Sequence, residues 1–101
     1  MRYEFHPEAR LEFRESAAFY EGCRPGLGTA FTDEIESVLR RILGAPDQSP
    51  FLEEDVRRRL ARRFPYCVLY TIEADYILII AIMHCSRKPG YWRNRLPERG
   101  A

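Results

Sequence analysis

One lysine, two histidines and three cysteines occur among the 101 residues, and each scarcity closes off a class of function. Cys23, Cys67 and Cys85 are odd in number and form no C-x-x-C pair, which argues against both a disulfide framework and a structural zinc site. His6 and His84 lie 78 positions apart, so no local Cys/His spacing supports a metal centre, and neither metal nor cofactor is expected. Gly26-Leu27-Gly28 has neither the lysine nor the preceding strand of a phosphate-binding loop. The longest apolar run, Tyr76 to Met83, is eight residues, against the roughly 20 that cross a bilayer. No membrane partner is expected. Met1 to Leu11 carries Arg2, Glu4, Glu8 and Arg10 where a secretory signal would be apolar, so a cytoplasmic location is expected.

What is present is enough for one compact domain over residues 1–101, with 46% hydrophobic residues to build its core. The net charge of +1 hides a division: residues 1–55 hold six basic and twelve acidic residues, whereas residues 56–101 hold ten basic and three acidic, giving −6 and +7. Fifteen of the sixteen basic residues are arginine, whose planar fork matches phosphate and carboxylate. A basic half on a nearly neutral chain points to an anionic partner, nucleic acid first. The competing account is internal neutralisation, in which acidic helices lie against a basic sheet.

Arg2 to Phe5 alternates like a short strand, and Pro7 breaks it. Ala9, Phe13, Ala17 and Tyr20 then recur at helical spacing, predicting a helix from about Pro7 to Glu21 that Gly22 and Arg24-Pro25-Gly26 end. Leu27, Phe31, Ile35, Val38 and Ile42 define a second helix ending before Gly44, and the short link makes the pair an antiparallel hairpin. Ala45 to Asp55 has no period and reads as a surface connection. Val56–Arg63, Tyr66–Ile72 and Tyr76–His84 read as strands joined by tight turns, the last covered on both faces. The expected fold is α+β: an N-terminal strand and an antiparallel helical hairpin packed on an antiparallel β-sheet, followed by a short C-terminal segment.

The residues Val56-Arg57-Arg58, Arg62-Arg63-Phe64-Pro65-Tyr66-Cys67-Val68-Leu69-Tyr70, Tyr76 to His84 and Arg87-Lys88-Pro89-Gly90-Tyr91-Trp92-Arg93-Asn94-Arg95 carry a resemblance over nearly the whole chain. With its F-P-Y strand start and its H-x-x-R-x-P-x-Y-W ending, the chain resembles the RelE/ParE toxins of bacterial type II toxin–antitoxin systems, on the ParE-like side. The resemblance implies a toxin that arrests growth by inhibiting DNA gyrase and is neutralised by a cognate antitoxin, with operator DNA reached only through that antitoxin. The alternatives it implies are a ribosome-dependent endoribonuclease acting on messenger RNA, and a non-toxic remnant that only binds the antitoxin.

Arg87 and Tyr91 match in spacing the arginine and tyrosine of the ribonuclease branch, and His84 is a candidate base because imidazole titrates near neutral pH. That branch places further arginines just after the strand-start tyrosine and six residues before the C-terminal tyrosine; here Cys67 and Cys85 stand there. A neutral thiol does not replace a permanent cation at a phosphate. Enzymatic activity is therefore left open. Candidate target- or nucleic-acid-binding residues are Arg57, Arg58, Arg59, Arg62, Arg63, Arg87, Lys88, Tyr91, Trp92, Arg93 and Arg95. The competing reading of Tyr91 and Trp92 is that their rings pin the tail to the sheet, and for Trp92, with the large area an indole buries, it is the favoured one. Arg57, Arg58 and Arg59 cannot all share one face of a strand.

Overall fold

The computed structural model describes residues 1–99. Strand β1 (Arg2–Phe5) is followed by helices α1 (Pro7–Cys23) and α2 (Leu27–Gly44), then strands β2 (Phe51–Glu53), β3 (Val56–Leu60), β4 (Tyr66–Ile72) and β5 (Tyr76–His84), and a single 3-10 turn at Arg93–Arg95. Pro7 opens α1 with its ring already at a helical φ, and the His6 ring caps it, Nδ1 accepting from the Glu8 amide at 3.1 Å. α2 is capped from its neighbour. The Glu21 carboxylate, near the end of α1, accepts from the amides of Gly26 and Gly28 and so satisfies donors that a helix start leaves open.

The hairpin closes tightly at one point. A Cβ on Gly28 would sit 2.5 Å from the Ala17 carbonyl oxygen and 2.8 Å from Glu21 Cβ, neither of which can swing aside. Gly28→Ala is expected to destabilise the fold by about 1–3 kcal/mol, the usual cost of overpacking. Urea denaturation checks this, and an unchanged midpoint would mean that the helices separate without cost.

The sheet order is β1-β5-β4-β3-β2. From β2 to β5 each strand is antiparallel to its neighbour, but β1 pairs with β5 in parallel, Arg2 opposite Tyr76 and Phe5 opposite Ile79. The antiparallel meander is as expected, and β1 joins its edge in parallel, which makes the sheet mixed. An even number of chain reversals separates β1 from β5, so the two run the same way once they become neighbours. Two boundaries also move. The stretch read as a surface connection contributes Phe51–Glu53 as an edge strand, too short to display alternation, and β3 ends at Leu60 because the Ala61 amide closes a hairpin onto the Tyr66 carbonyl.

One core lies between helices and sheet, where Phe31, Ile35, Val38 and Ile42 meet Val68, Tyr70, Ile77, Ile79 and Ile82. A second lies on the other face, where Val56, Cys67, Leu69, Ile80, Ala81 and Met83 are covered by Trp92. Strand β5 is therefore buried on both faces, as its unbroken apolar run implies. Its alternation slips once. The pairing jumps from Leu69–Ala81 to Tyr70–Ile79, leaving Ile80 as an extra residue, so Ile80 and Ala81 belong to the same core.

Candidate target-binding site

Strand β1 accompanies β5 only as far as Ile79, and beyond that point the edge of β5 is open. An open edge leaves backbone donors and acceptors that must be satisfied. Two distant side chains do this. Glu12 of α1 accepts from the Ile82 amide at 3.1 Å through Oε1, and Arg95 of the 3-10 turn donates from Nη1 to the Ile80 carbonyl, also at 3.1 Å. The two are joined by a bidentate pair, Arg95 Nη1 to Glu12 Oε1 and Nη2 to Oε2, both 2.9 Å. The Tyr91 hydroxyl donates to Glu12 Oε2 at 2.7 Å, and the Arg87 and Arg95 guanidinium carbons lie 3.9 and 5.0 Å from the centre of its ring. With only 7% of its side chain exposed, Arg95 is held in place rather than presented. Burial works against its cation, but the Glu12 carboxylate outweighs burial and its pKa is raised. Burial, with the hydrogen bond to Glu12 second, pushes the Tyr91 hydroxyl well above the ordinary phenol value.

Two of the residues expected to touch a target lie inside the fold. Arg95 and Trp92 are buried, Trp92 to 1% exposure, and both hold the tail against the sheet. Arg87 and Lys88 are exposed. Arg93 is exposed too, but its guanidinium is engaged by the Glu53 carboxylate at 2.7 Å, which raises the arginine and lowers the carboxyl. Arg99 likewise joins Asp55 and Glu73. Carboxylates elsewhere in the chain thus neutralise Arg93, Arg95 and Arg99, while Arg87 and Lys88 have no ion pair among the described residues.

His84 stands at the end of β5 with its ring edge-on to Tyr66, the centroids 5.2 Å apart. Its Nδ1 accepts from the Ser86 amide at 3.0 Å and lies 2.7 Å from the Ser86 hydroxyl, so the lone pair a base would use is already taken. The depression beside it, about 180 Å3, is lined by Glu12, Glu15, Ser16, Tyr66, Ile82, His84 and Arg87. Of its two carboxylates Glu12 is already paired with Arg95, so Glu15 offsets Arg87 and the depression offers no net cationic site for a phosphodiester. Cys67 is buried, and burial first, with Cys85 second, pushes its thiol up to about 12 in spite of Arg58. Because the thiolate is the reactive form, native Cys67 is expected to resist iodoacetamide at pH 8 while the exposed Cys23 and Cys85 are modified. Peptide mass mapping reads this, and labelling of Cys67 without denaturant would contradict it.

The arginines of β3 divide as the pleat requires. Arg57 and Arg59 pair with Tyr70 and Val68 on the helix side, and Arg58 pairs with Leu69 on the other. Arg57 is occupied: it donates to the carbonyls of Asp47 and Ser49 and stacks on Phe51 at 3.8 Å. Arg62 and Arg63, in the turn after β3, lie instead beside Arg40 and Arg41 of α2, which sequence reasoning did not single out. Their only advance sign was a position off the apolar stripe of α2, which does not say what they face. Among the described residues, no cluster of three or more His, Cys, Asp or Glu side chains is arranged to hold a metal ion, and no helix is long and apolar enough to cross a membrane.

Residues 3–89 match the family described as the ParE toxin of the type II toxin–antitoxin system, parDE. Among solved structures, a chain of the chromosomal ParDE system from P. aeruginosa superimposes with a TM-score of 0.74 at 16% identity, over 83% of this chain and 95% of that one. At that identity the likeness shows the fold. No curated protein matches the sequence.

Proposed function

Because the chain belongs to the ParE toxin family of type II toxin–antitoxin systems, we propose that it arrests growth by binding DNA gyrase rather than by cutting RNA, and that a cognate antitoxin neutralises it. The observation that carries this reading is the engagement of the groups a nuclease would need. Tyr91 spends its hydroxyl on Glu12, His84 spends Nδ1 on Ser86, and in the depression beside His84 Glu15 offsets Arg87. In-line attack of a 2′-hydroxyl needs a free base and cations at the phosphate, and the thiol of Cys67 is no cation. A binding inhibitor needs none of these. It needs a rigid, exposed surface, and Arg87 and Lys88 stand on a tail pinned by Trp92 and Arg95.

The antitoxin reading is supported by the outer face of α1, where Leu11 and Phe19 remain 47% and 65% exposed. Apolar area of that kind suits a partner segment that covers it. Sequence-specific contact with operator DNA belongs, on this reading, to the antitoxin.

Tyr91→Phe separates the two mechanisms. Loss of a hydrogen bond to a carboxylate costs about 1.5–3 kcal/mol of stability, yet the variant is expected to arrest growth and to inhibit gyrase supercoiling as the parent does. If it remained folded and lost all toxicity, with transcripts cut only by the parent, Tyr91 would be a catalytic residue and the binding mechanism would fail.

A further inference from the structure

The paired charges of the tail leave a contrast elsewhere. Among the described residues, ion pairs engage Arg2, Arg93, Arg95 and Arg99; of the arginines without one, Arg40, Arg41, Arg59, Arg62 and Arg63 lie together. Arg40, Arg41, Arg59, Arg62 and Arg63, with the backbone of Arg58, whose amide donates to the Pro50 carbonyl, line two depressions, of about 550 and 340 Å3, that share Arg41 and Arg62 and so form one continuous surface between α2 and the end of β3. The single carboxylate in the lining, Glu34, accepts from the Arg62 backbone amide at 2.7 Å and ties the β3–β4 turn to α2. Arg41 is oriented by Ser37 alone, through Nε to its carbonyl and Nη2 to its hydroxyl. Glu36, one helical turn before Arg40, makes no ion pair with it. Internal neutralisation accounts for Arg93, Arg95 and Arg99 and fails here.

We propose that this arginine surface binds the phosphodiester backbone of duplex nucleic acid, without regard to sequence, as a contact separate from the gyrase-binding tail. Guanidinium forks that are permanently charged and lack carboxylate partners match phosphate oxygens. An acidic protein segment would want apolar anchors among the charges, and the linings offer only Leu60 and Pro50 beside the arginine stems. No aromatic ring lines either depression, so there is no platform for the splayed bases of a single strand. What remains is a backbone contact of the kind that positions a protein on a duplex. The proposal rests on residues outside the tail, so its failure leaves the reading of the gyrase inhibitor standing.

The test is fluorescence anisotropy of the full chain with a labelled 20-base-pair DNA duplex and with the RNA duplex of the same sequence, across a salt series. Binding should weaken linearly in log salt, with a slope of about −0.9 for each phosphate neutralised. The variant Arg40→Gln, Arg41→Gln, Arg62→Gln, Arg63→Gln should flatten that slope by about 3 to 4 and weaken binding at 100 mM salt at least tenfold. A control that removes the same charge elsewhere, Arg2→Gln, Arg10→Gln, Arg14→Gln, Arg24→Gln, should change affinity less than about threefold, the residual effect of net charge. A preference for DNA or for RNA would identify the source of the backbone, and equal affinity would support the contact as common to both. The proposal is overturned if the parent chain binds neither duplex at 50 mM salt, or if the control variant loses as much as the first. Displacement of DNA by polyglutamate at equal charge concentration would also overturn it and assign the surface to an acidic protein.

Discussion

Replacing Glu12 with leucine is expected to lower the unfolding free energy by about 3–5 kcal/mol, the cost of removing one partner from a buried ion pair. The substitution leaves the Arg95 cation without its bidentate partner, the Ile82 amide without an acceptor and the Tyr91 hydroxyl without one. Against a total stability of about 5–15 kcal/mol for a domain of this size, that loss is a large fraction. Arg95→Leu should cost a similar amount, because it strands the Glu12 carboxylate and uncovers the Ile80 carbonyl. The double variant should recover part of the sum, since two apolar side chains leave no buried charge. Urea denaturation of the three variants checks the set. A Glu12→Leu variant within 1 kcal/mol of the parent would mean that water, not Glu12, satisfies the edge of β5.

The second large effect concerns the target. Arg87→Glu combined with Lys88→Glu should abolish growth arrest in a protein that still folds, because both side chains are exposed and neither forms an ion pair among the described residues. The stacking of Arg87 on Tyr91 is worth only about 0.5–1 kcal/mol at an exposed site, so its loss does not unfold the tail. At an interface, however, like charges brought together cost several kcal/mol, and each 1.4 kcal/mol is tenfold in affinity. Inhibition of gyrase supercoiling should therefore weaken by at least about tenfold. Unchanged inhibition by the folded double variant would remove the tail from the binding surface.

These two predictions fall on neighbouring residues with opposite roles, and the sequence does not distinguish them. Arg87, Lys88, Arg93 and Arg95 look alike as a basic run; only the fold brings Glu12, 83 positions away, against Arg95 and Glu53 against Arg93. What separates the buried arginine from the exposed one is the end of β1 at Phe5, which opens the edge of β5 that Arg95 then caps. The slip at Ile80 was hidden for a related reason. In an unbroken apolar run every residue fits either face, so the position of an extra one leaves no trace in polarity. The helices were legible because their buried faces recur at 3.6-residue spacing, from Ala9 to Tyr20 and from Leu27 to Ile42. Arg40 and Arg41 give no signal in the sequence because they make an ordinary solvent-facing pair until Glu34 draws the Arg62 turn beside them. The pairing of β1 with β5 depends on chain direction across the helical hairpin, which no local pattern records.

The measurement that bears most directly on a gyrase-binding toxin is a pulse-labelling time course after induction of the chain without its antitoxin, following DNA and protein synthesis side by side. Loss of DNA synthesis first, with translation persisting, is the predicted result. Loss of protein synthesis first, with transcripts cleaved inside translated codons, would contradict it and return Tyr91 and Arg87 to a catalytic role.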